Sequence, residues 1–137
     1  MELKTLNEIE IISAPHSKIS EVDFENLTFG NVFTDHMLVC DYVDGAWQKP
    51  VIEPYAPFMI DPSAKVFHYG QAIFEGMKAY KDQQDDVWLF RPDENFHRFN
   101  KSATRMAMPE VPEDIFLGGL HRLLEIEKEW VKKGKGN

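Results

Sequence analysis

Apolar positions in the first half of the chain follow the patterns of short strands. Residues 36–43 are mostly apolar, and the Asp44-Gly45 pair that follows them is typical of a two-residue hairpin turn. Residues 46–47 then begin a returning strand. We therefore predict an antiparallel hairpin that turns at Asp44 and Gly45.

A further strand is predicted over residues 51–60, which Pro54 and Pro57 interrupt. Proline has no N–H to donate to a sheet, so an edge or irregular position is expected for this strand. Residues 1–28 mix charged and apolar positions without a sustained period, which indicates an irregular N-terminal arm. The apolar groups of this arm are expected to dock on the body of the domain.

The middle of the chain predicts a helical turn and a second hairpin. Gly70 and Gly76 lie near the two ends of residues 69–76, and we interpret this segment as the helical turn. Residues 77–81 and 87–90 are two strand-like segments joined by a polar turn, which is the pattern of a hairpin.

Two helices are predicted in the last third of the chain. Pro92 suits the first turn of a helix, and the apolar face of this helix contains Phe96, Phe99, Ala103 and Met106. A second helix is predicted over residues 113–133, where apolar positions recur at helical spacing and acidic residues precede the lysines. Strands followed by helices indicate an α+β fold, an antiparallel sheet covered by helices.

Composition and charge narrow the classes of function. Hydrophobic residues make up 43% of the 137, which is enough to build a core, so a disordered chain is not expected. The formal charge of −8 disfavours nucleic acid and anionic membrane surfaces as partners. The single cysteine, Cys40, cannot form an internal disulfide, and we expect a cytoplasmic protein without a membrane span.

Several familiar kinds of site are not favoured by the sequence. Asp35 and His36 are adjacent, but neighbours on an extended chain point to opposite sides, so a strand start is favoured over a catalytic dyad. The five histidines show no spacing typical of metal ligands, and no metal site is predicted. Glycine-rich phosphate-binding motifs are also absent from the sequence, so a phosphate would need side chains to hold it.

Arg98 is one candidate for that task. It lies in the first predicted helix between Phe96 and Phe99, and a guanidinium can donate two hydrogen bonds to phosphate oxygens while it stays charged. From spacing alone, a surface arginine paired with an acidic residue is the favoured interpretation.

Tyr69 and Phe74 form a second candidate feature. They lie in an aromatic segment next to two glycines, a composition that suits the wall of a ligand pocket. From the residues alone, the favoured alternative is that both rings are ordinary core aromatics.

Taken together, these segments resemble the N-terminal domain of branched-chain amino-acid aminotransferases, which are pyridoxal-phosphate enzymes of the D-amino-acid-transaminase-like fold. The resemblance runs from about residue 29 to residue 130. The blocks that carry it are Phe29-Gly30, Phe33-Thr-Asp-His-Met-Leu38, His68-Tyr-Gly70, Phe74-Glu-Gly-Met-Lys-Ala-Tyr80, Leu89-Phe-Arg-Pro92, Asn95, Arg98, Ser102-Ala-Thr-Arg-Met106 and Pro109. Many ordered blocks in one chain are far more specific than a single short motif.

The resemblance implies a role for four residues. Arg98 matches the arginine that holds the phosphate of pyridoxal 5'-phosphate, and Phe29, Tyr69 and Phe74 match the small-domain side of the pocket for the aliphatic substrate side chain. The lysine that bonds the cofactor lies in the family's C-terminal domain, beyond residue 137. No residue of this chain is therefore assigned a catalytic role.

The resemblance also implies how the chain is organised and what the whole protein does. Residues 1–28 are the arm, residues 29–133 the small α+β domain, and residues 134–137 the start of a linker to the C-terminal domain. The whole protein is expected to move the amino group of leucine, isoleucine or valine to 2-oxoglutarate, as a homo-oligomer, and the isolated chain is expected to be inactive. Alternatives are a D-amino-acid transaminase, an aminodeoxychorismate lyase, or a binding module that has lost catalysis.

Overall fold

Short sheets and helices alternate along residues 9–133, which are the part of the chain that the computed structural model describes. The strands are β1 (Glu10–Ile11), β2 (His36–Val39), β3 (Tyr42–Val43), β4 (Ala46–Trp47), β5 (Val51–Pro54), β6 (Ala79–Lys81) and β7 (Val87–Leu89), and the α-helices are α1 (Lys65–Tyr69), α2 (Pro92–Arg105) and α3 (Gly119–Ile126). This arrangement confirms the α+β class. The predicted linker, residues 134–137, lies outside the described residues.

A three-stranded sheet with the order β1-β5-β2 forms the centre of the fold. β5 pairs antiparallel with β2 and parallel with β1, so the prediction of an antiparallel sheet holds for only one of these two pairs. Of the two expectations for residues 51–60, the edge position is wrong, because β5 is central and Ile52 is fully buried. The irregular character is confirmed for residues 55–60, which have no regular structure. Pro54 is compatible with the central position, since it is the last residue of β5 and β1 pairs only with Val51 and Ile52.

Both predicted hairpins are confirmed, with shorter strands than expected. β3 and β4 pair across the turn at Asp44 and Gly45, whose φ angles of 52° and 82° are the left-handed values that such a turn needs. The predicted strand over residues 36–43 is interrupted after Val39. Its first part, β2, belongs to the central sheet, and its second part, β3, belongs to the hairpin. β6 and β7 form the second hairpin.

The helical turn predicted over residues 69–76 is wrong. The helix in this region is α1, which ends at Tyr69, and Gly70 follows it in the left-handed conformation with a φ of 60°. A left-handed residue stops the repeating hydrogen bonds of a helix, and glycine adopts this conformation at little cost. Residues 70–78 consequently form a loop without regular structure.

The prediction of α2 is confirmed, including its start at Pro92. Its apolar face packs against the next helical region, where the rings of Phe96 and Phe99 lie 5.7 and 5.1 Å from the ring of Phe116. Ala103 on the same face is fully buried. The sequence period thus identified the buried face of this helix correctly.

The single helix predicted over residues 113–133 divides into three parts. A π-helical segment, Asp114–Gly118, leads into α3, and a 3₁₀ turn follows at Lys128–Trp130. α3 lies against β2 so closely that a Cβ atom on Gly119 would be 2.5 Å from Cδ2 of Leu38. A side chain at position 119 would therefore have to displace a methyl group of Leu38. The expectation of an uninterrupted amphipathic helix is wrong. None of the helices between residues 9 and 133 is long and apolar enough to cross a membrane.

Asp35 and His36 hold the N-terminal arm against the body through different partners. The carboxylate of Asp35 is buried and accepts hydrogen bonds from the Ser17 hydroxyl at 2.5 Å, the Lys18 backbone N–H at 2.9 Å and the Trp130 indole at 3.1 Å. These hydrogen bonds lower the pKa of Asp35 although burial raises it. β2 begins at His36, so the strand start favoured over a catalytic dyad is confirmed.

Candidate functional site

The guanidinium of Arg98 forms a two-pronged ion pair with the carboxylate of Glu75. Nε of Arg98 donates to Oε2 at 2.7 Å and a terminal nitrogen donates to Oε1 at 2.5 Å. Arg98 comes from the second turn of α2, and Glu75 comes from the loop that precedes β6. The two residues are 23 positions apart, so the fold and not the local sequence brings them together.

The two side chains of this pair differ in exposure. The Glu75 side chain is only 7% exposed, whereas the Arg98 side chain is 67% exposed. The hydrogen bonds from Arg98, helped by the N–H of Gly76 and the amide of Asn95, outweigh burial and lower the pKa of Glu75 to about 2. The carboxylate in turn raises the pKa of Arg98, so both groups are charged across the physiological pH range.

The loop of residues 70–78 is attached along α2 by two side-chain hydrogen bonds. The amide of Gln71 donates to the carbonyl of Met106 at 2.8 Å, after the end of α2. The amide of Asn95, near the start of α2, donates to the carbonyl of Gly76 at 3.1 Å. The helix and the loop together form the two walls of a groove.

This groove has a volume of about 910 Å³ and brings Arg98 together with Phe74. Lys101, Ser102 and Arg105 also line it, because positions i, i+3, i+4 and i+7 share one side of a helix. Of the described residues that line the groove, none carries a carboxylate. A chain with a net charge of −8 thus has a locally cationic groove.

The donors in the groove fit a phosphate group. A guanidinium has five N–H donors, and Glu75 uses two of those on Arg98, so three are left for another acceptor. Lys101, Arg105 and the hydroxyl of Ser102 add further donors and positive charge from the same helix face. The residues present are therefore chemically suited to the phosphate of pyridoxal 5'-phosphate.

The three aromatic residues that the resemblance assigns to the substrate pocket are all on the surface. Phe29 is fully exposed, Tyr69 is 82% exposed and Phe74 is 91% exposed, so the alternative that Tyr69 and Phe74 are core aromatics is wrong. Phe74 shares the groove with Arg98, while Phe29 and Tyr69 are not among its lining residues. The structure of this chain therefore brings together two of the four residues that the resemblance selects.

Sequence reasoning did not assign a role to Glu75 or to the other cations of the groove. The spacing of Lys101 and Arg105 from Arg98 was a usable signal, because positions three and seven residues apart lie on one helix face. The pairing of Glu75 with Arg98 left no such signal in the sequence. Between residues 9 and 133, histidine, cysteine and carboxylate side chains do not gather into a group of three that could hold a metal ion.

Comparison with known proteins places the chain among aminotransferases. No family model matches it. It is 53% identical over 115 residues to branched-chain-amino-acid transaminase 1 of Bacillus subtilis, a match that covers 83% of this chain and 32% of that protein. It is 46% identical over 121 residues to branched-chain-amino-acid aminotransferase 2 of the same organism, which covers 88% of this chain and 33% of the relative.

A third relative, from another organism, is similar to the chain to nearly the same degree. The branched-chain-amino-acid aminotransferase of Mycolicibacterium smegmatis is 43% identical over 119 residues, which is 86% of this chain and 32% of that protein. The chain thus spans about a third of the length of the curated relatives that it matches. Over 83–88% of its own length, the chain is homologous to branched-chain amino-acid aminotransferases.

Proposed function

We propose that the chain is the N-terminal third of an aminotransferase that uses pyridoxal 5'-phosphate to move the amino group of leucine, isoleucine or valine to 2-oxoglutarate. The observation that carries this proposal is the 53% identity over 115 residues to a branched-chain-amino-acid transaminase. The cationic groove beside Phe74 supports it, because it combines donors for a phosphate with an aromatic surface.

Arg98 is the residue to which we assign the cofactor phosphate. Its guanidinium is exposed toward the groove and already oriented by Glu75, and Lys101 and Arg105 add positive charge. When bound, pyridoxal phosphate supplies an electron sink that stabilises negative charge next to the amino group of the substrate. The role of this chain is to bind and orient the cofactor, since we place the lysine that bonds the cofactor beyond residue 137.

Phe29, Tyr69 and Phe74 are proposed to contact the aliphatic side chain of the substrate. Three large, exposed rings offer apolar area that suits leucine, isoleucine or valine, and the Tyr69 hydroxyl can hydrogen-bond at the polar end of the pocket. Their exposure in the isolated chain is consistent with a pocket that a second domain completes.

The remaining part of the polypeptide is proposed to cover the exposed apolar surface of this domain. Met59 and Phe29 are fully exposed, and Phe58, Phe67 and Phe90 each remain more than half exposed. A soluble domain seldom leaves so many large apolar side chains in water unless another surface packs on them. Since relatives are about three times as long as their match to this chain, the rest of the same polypeptide is the occupant we propose, within a homo-oligomer.

The test compares the isolated chain with the complete protein read from the gene that encodes it. We expect leucine-dependent conversion of 2-oxoglutarate to glutamate by the complete protein and no turnover by the chain alone. A panel with D-alanine and aminodeoxychorismate distinguishes the two related enzymes. Turnover by the isolated chain, or a reading frame that stops at residue 137, would contradict the proposal.

A substitution tests the assignment of Arg98. We expect Arg98→Gln in the complete protein to weaken the binding of pyridoxal phosphate by at least about tenfold, because charge-assisted hydrogen bonds are lost. Arg91→Gln is the matched control, since Arg91 is a similarly exposed arginine next to the start of α2 and is paired with Glu94 outside the groove. Equal cofactor affinities for the two variants would reject the assignment.

A further inference from the structure

We propose that Glu75 is a positioning residue for cofactor binding, which holds the guanidinium of Arg98 so that its remaining N–H donors face the groove. This inference rests on the proposed function, because it takes Arg98 as the ligand of the cofactor phosphate. It adds a residue from a different segment of the chain, and it gives that residue a role that acts only through Arg98.

The geometry favours an orienting role because the carboxylate is itself held in place. Glu75 is nearly buried, its Oε1 accepts the N–H of Gly76 at 2.9 Å, and Asn95 on α2 holds the carbonyl of Gly76. The carboxylate therefore has a fixed position relative to α2. Two hydrogen bonds to a fixed carboxylate define both the place and the plane of the Arg98 guanidinium.

A second arginine–glutamate pair, at the start of α2, shows what is unusual about the pair of Arg98 and Glu75. Arg91 and Glu94 are also within hydrogen-bond distance, at 2.7 Å, but both side chains are more than half exposed and one nitrogen makes the contact. Such a pair does not fix a long side chain, because both partners keep their rotamer freedom. In the pair of Arg98 and Glu75, the glutamate is nearly buried and only the arginine is exposed. Because folding fixes the glutamate, the Arg98 side chain that binds it is already ordered when the chain has folded.

Glu75 also has an opposing effect, since a carboxylate repels a phosphate. Two observations indicate that orientation outweighs this repulsion. Arg98 lines the groove, whereas Glu75 does not and is nearly buried, so the groove presents the guanidinium and not the carboxylate to a ligand. Lys101 and Arg105 line the same groove and add two positive charges that Glu75 does not neutralise.

The experiment compares the binding of pyridoxal phosphate with that of pyridoxal, which lacks the phosphate, in the complete apoprotein. We expect Glu75→Gln to weaken pyridoxal phosphate binding by about tenfold and to leave pyridoxal binding unchanged, because glutamine keeps the shape but loses the charge and one acceptor. Glu94→Gln is the matched control and should preserve the preference for the phosphorylated form. Arg98→Gln should lower that preference at least as much as Glu75→Gln.

A double substitution identifies the route of the effect. If Glu75 acts through Arg98, the variant Glu75→Gln with Arg98→Gln should bind pyridoxal phosphate as Arg98→Gln does alone. If Glu75→Gln does not fold, Glu75→Asp replaces it. Aspartate keeps the charge but is one methylene shorter, and a reduced preference for pyridoxal phosphate is again expected.

The outcomes separate this inference from the proposed function. An unchanged or increased preference for pyridoxal phosphate in Glu75→Gln, while Arg98→Gln loses it, would overturn the role of Glu75 and leave that of Arg98 intact. An unchanged preference in Arg98→Gln would overturn both. An equal loss of pyridoxal and pyridoxal phosphate binding in Glu75→Gln would show that Glu75 only maintains the fold, and would also overturn the inference.

Discussion

The imidazole of His36 connects the N-terminal arm to Glu127, a residue 91 positions later in the chain. Nε2 of His36 accepts a hydrogen bond from the backbone N–H of Ala14 at 2.8 Å, so Nδ1 bears the ring hydrogen and donates a hydrogen bond to the carboxylate of Glu127. His36 and Glu127 are both largely buried. One neutral ring thereby satisfies a backbone donor of the arm and a buried carboxylate next to α3.

We expect His36→Ala to destabilise the protein by about 2 to 4 kcal/mol, because it leaves a buried carboxylate and a backbone N–H without their partner. Urea unfolding measures the change, and limited proteolysis should show faster cleavage between residues 9 and 28. His16→Ala is the matched control, since His16 is an exposed histidine of the same arm. Equal stability of the two variants would contradict the proposed connection.

The contact between Gly119 and Leu38 gives a second prediction. An added Cβ would lie 2.5 Å from Cδ2 of Leu38, and overpacking of this kind costs about 2 kcal/mol. Replacing glycine by alanine in a helix gains about 1 kcal/mol, which is the smaller effect. Gly119→Ala should therefore lower the free energy of unfolding by about 1 kcal/mol.

Leu38→Ala provides the test of the cause. In the Leu38→Ala background, Gly119→Ala should become neutral or stabilising, because the clashing methyl groups are gone. An unchanged cost in that background would show that the contact with Leu38 is not the reason for the loss.

The ion pair of Glu75 predicts a dependence of stability on pH. Its pKa is about 2 in the folded chain against 4.5 for an ordinary glutamate, so the folded state binds the proton less readily than the unfolded state. The stabilisation is fully present above about pH 5 and is lost as the pH falls toward 2.

Glu75→Gln should remove this contribution, so its free energy of unfolding should fall less than that of the wild type between pH 5 and pH 2. Unfolding by urea at several pH values measures the difference, with Glu94→Gln as the control. Identical pH profiles for wild type and Glu75→Gln would contradict the strong pairing of Glu75 with Arg98.

Phe74→Ala tests the proposed apolar wall and the proposed activity in the complete protein. We expect kcat/KM for leucine to fall by about tenfold or more, because the aromatic surface that contacts the branched side chain is lost. The loss should be smaller for alanine, whose side chain is a single methyl group. A fall of the same size for both amino acids would indicate that Phe74 supports the fold or the cofactor and not the substrate side chain.

Much of the architecture was readable from local sequence patterns. The turn at Asp44 and Gly45, the second hairpin and the start of α2 at Pro92 depend on residues close together in the chain, and all three are confirmed. The wrong helical turn over residues 69–76 is a local error at Gly70, whereas two other errors concern tertiary contacts. The central position of β5 depends on a strand from the arm, and the division of the last helical region accompanies the close approach of Gly119 to Leu38.

In the candidate site, too, some features follow from the sequence and others depend on tertiary contacts. The sequence by itself indicated the family, through ordered blocks that resemble branched-chain aminotransferases, and it selected Arg98, Phe29, Tyr69 and Phe74 as candidates. Only the tertiary structure decided that Arg98 pairs with Glu75 and shares a groove with Phe74. The physical reason is that side-chain spacing along one helix is fixed by the helix period, whereas the approach of a loop 23 residues away is fixed by packing and by hydrogen bonds that leave no local pattern.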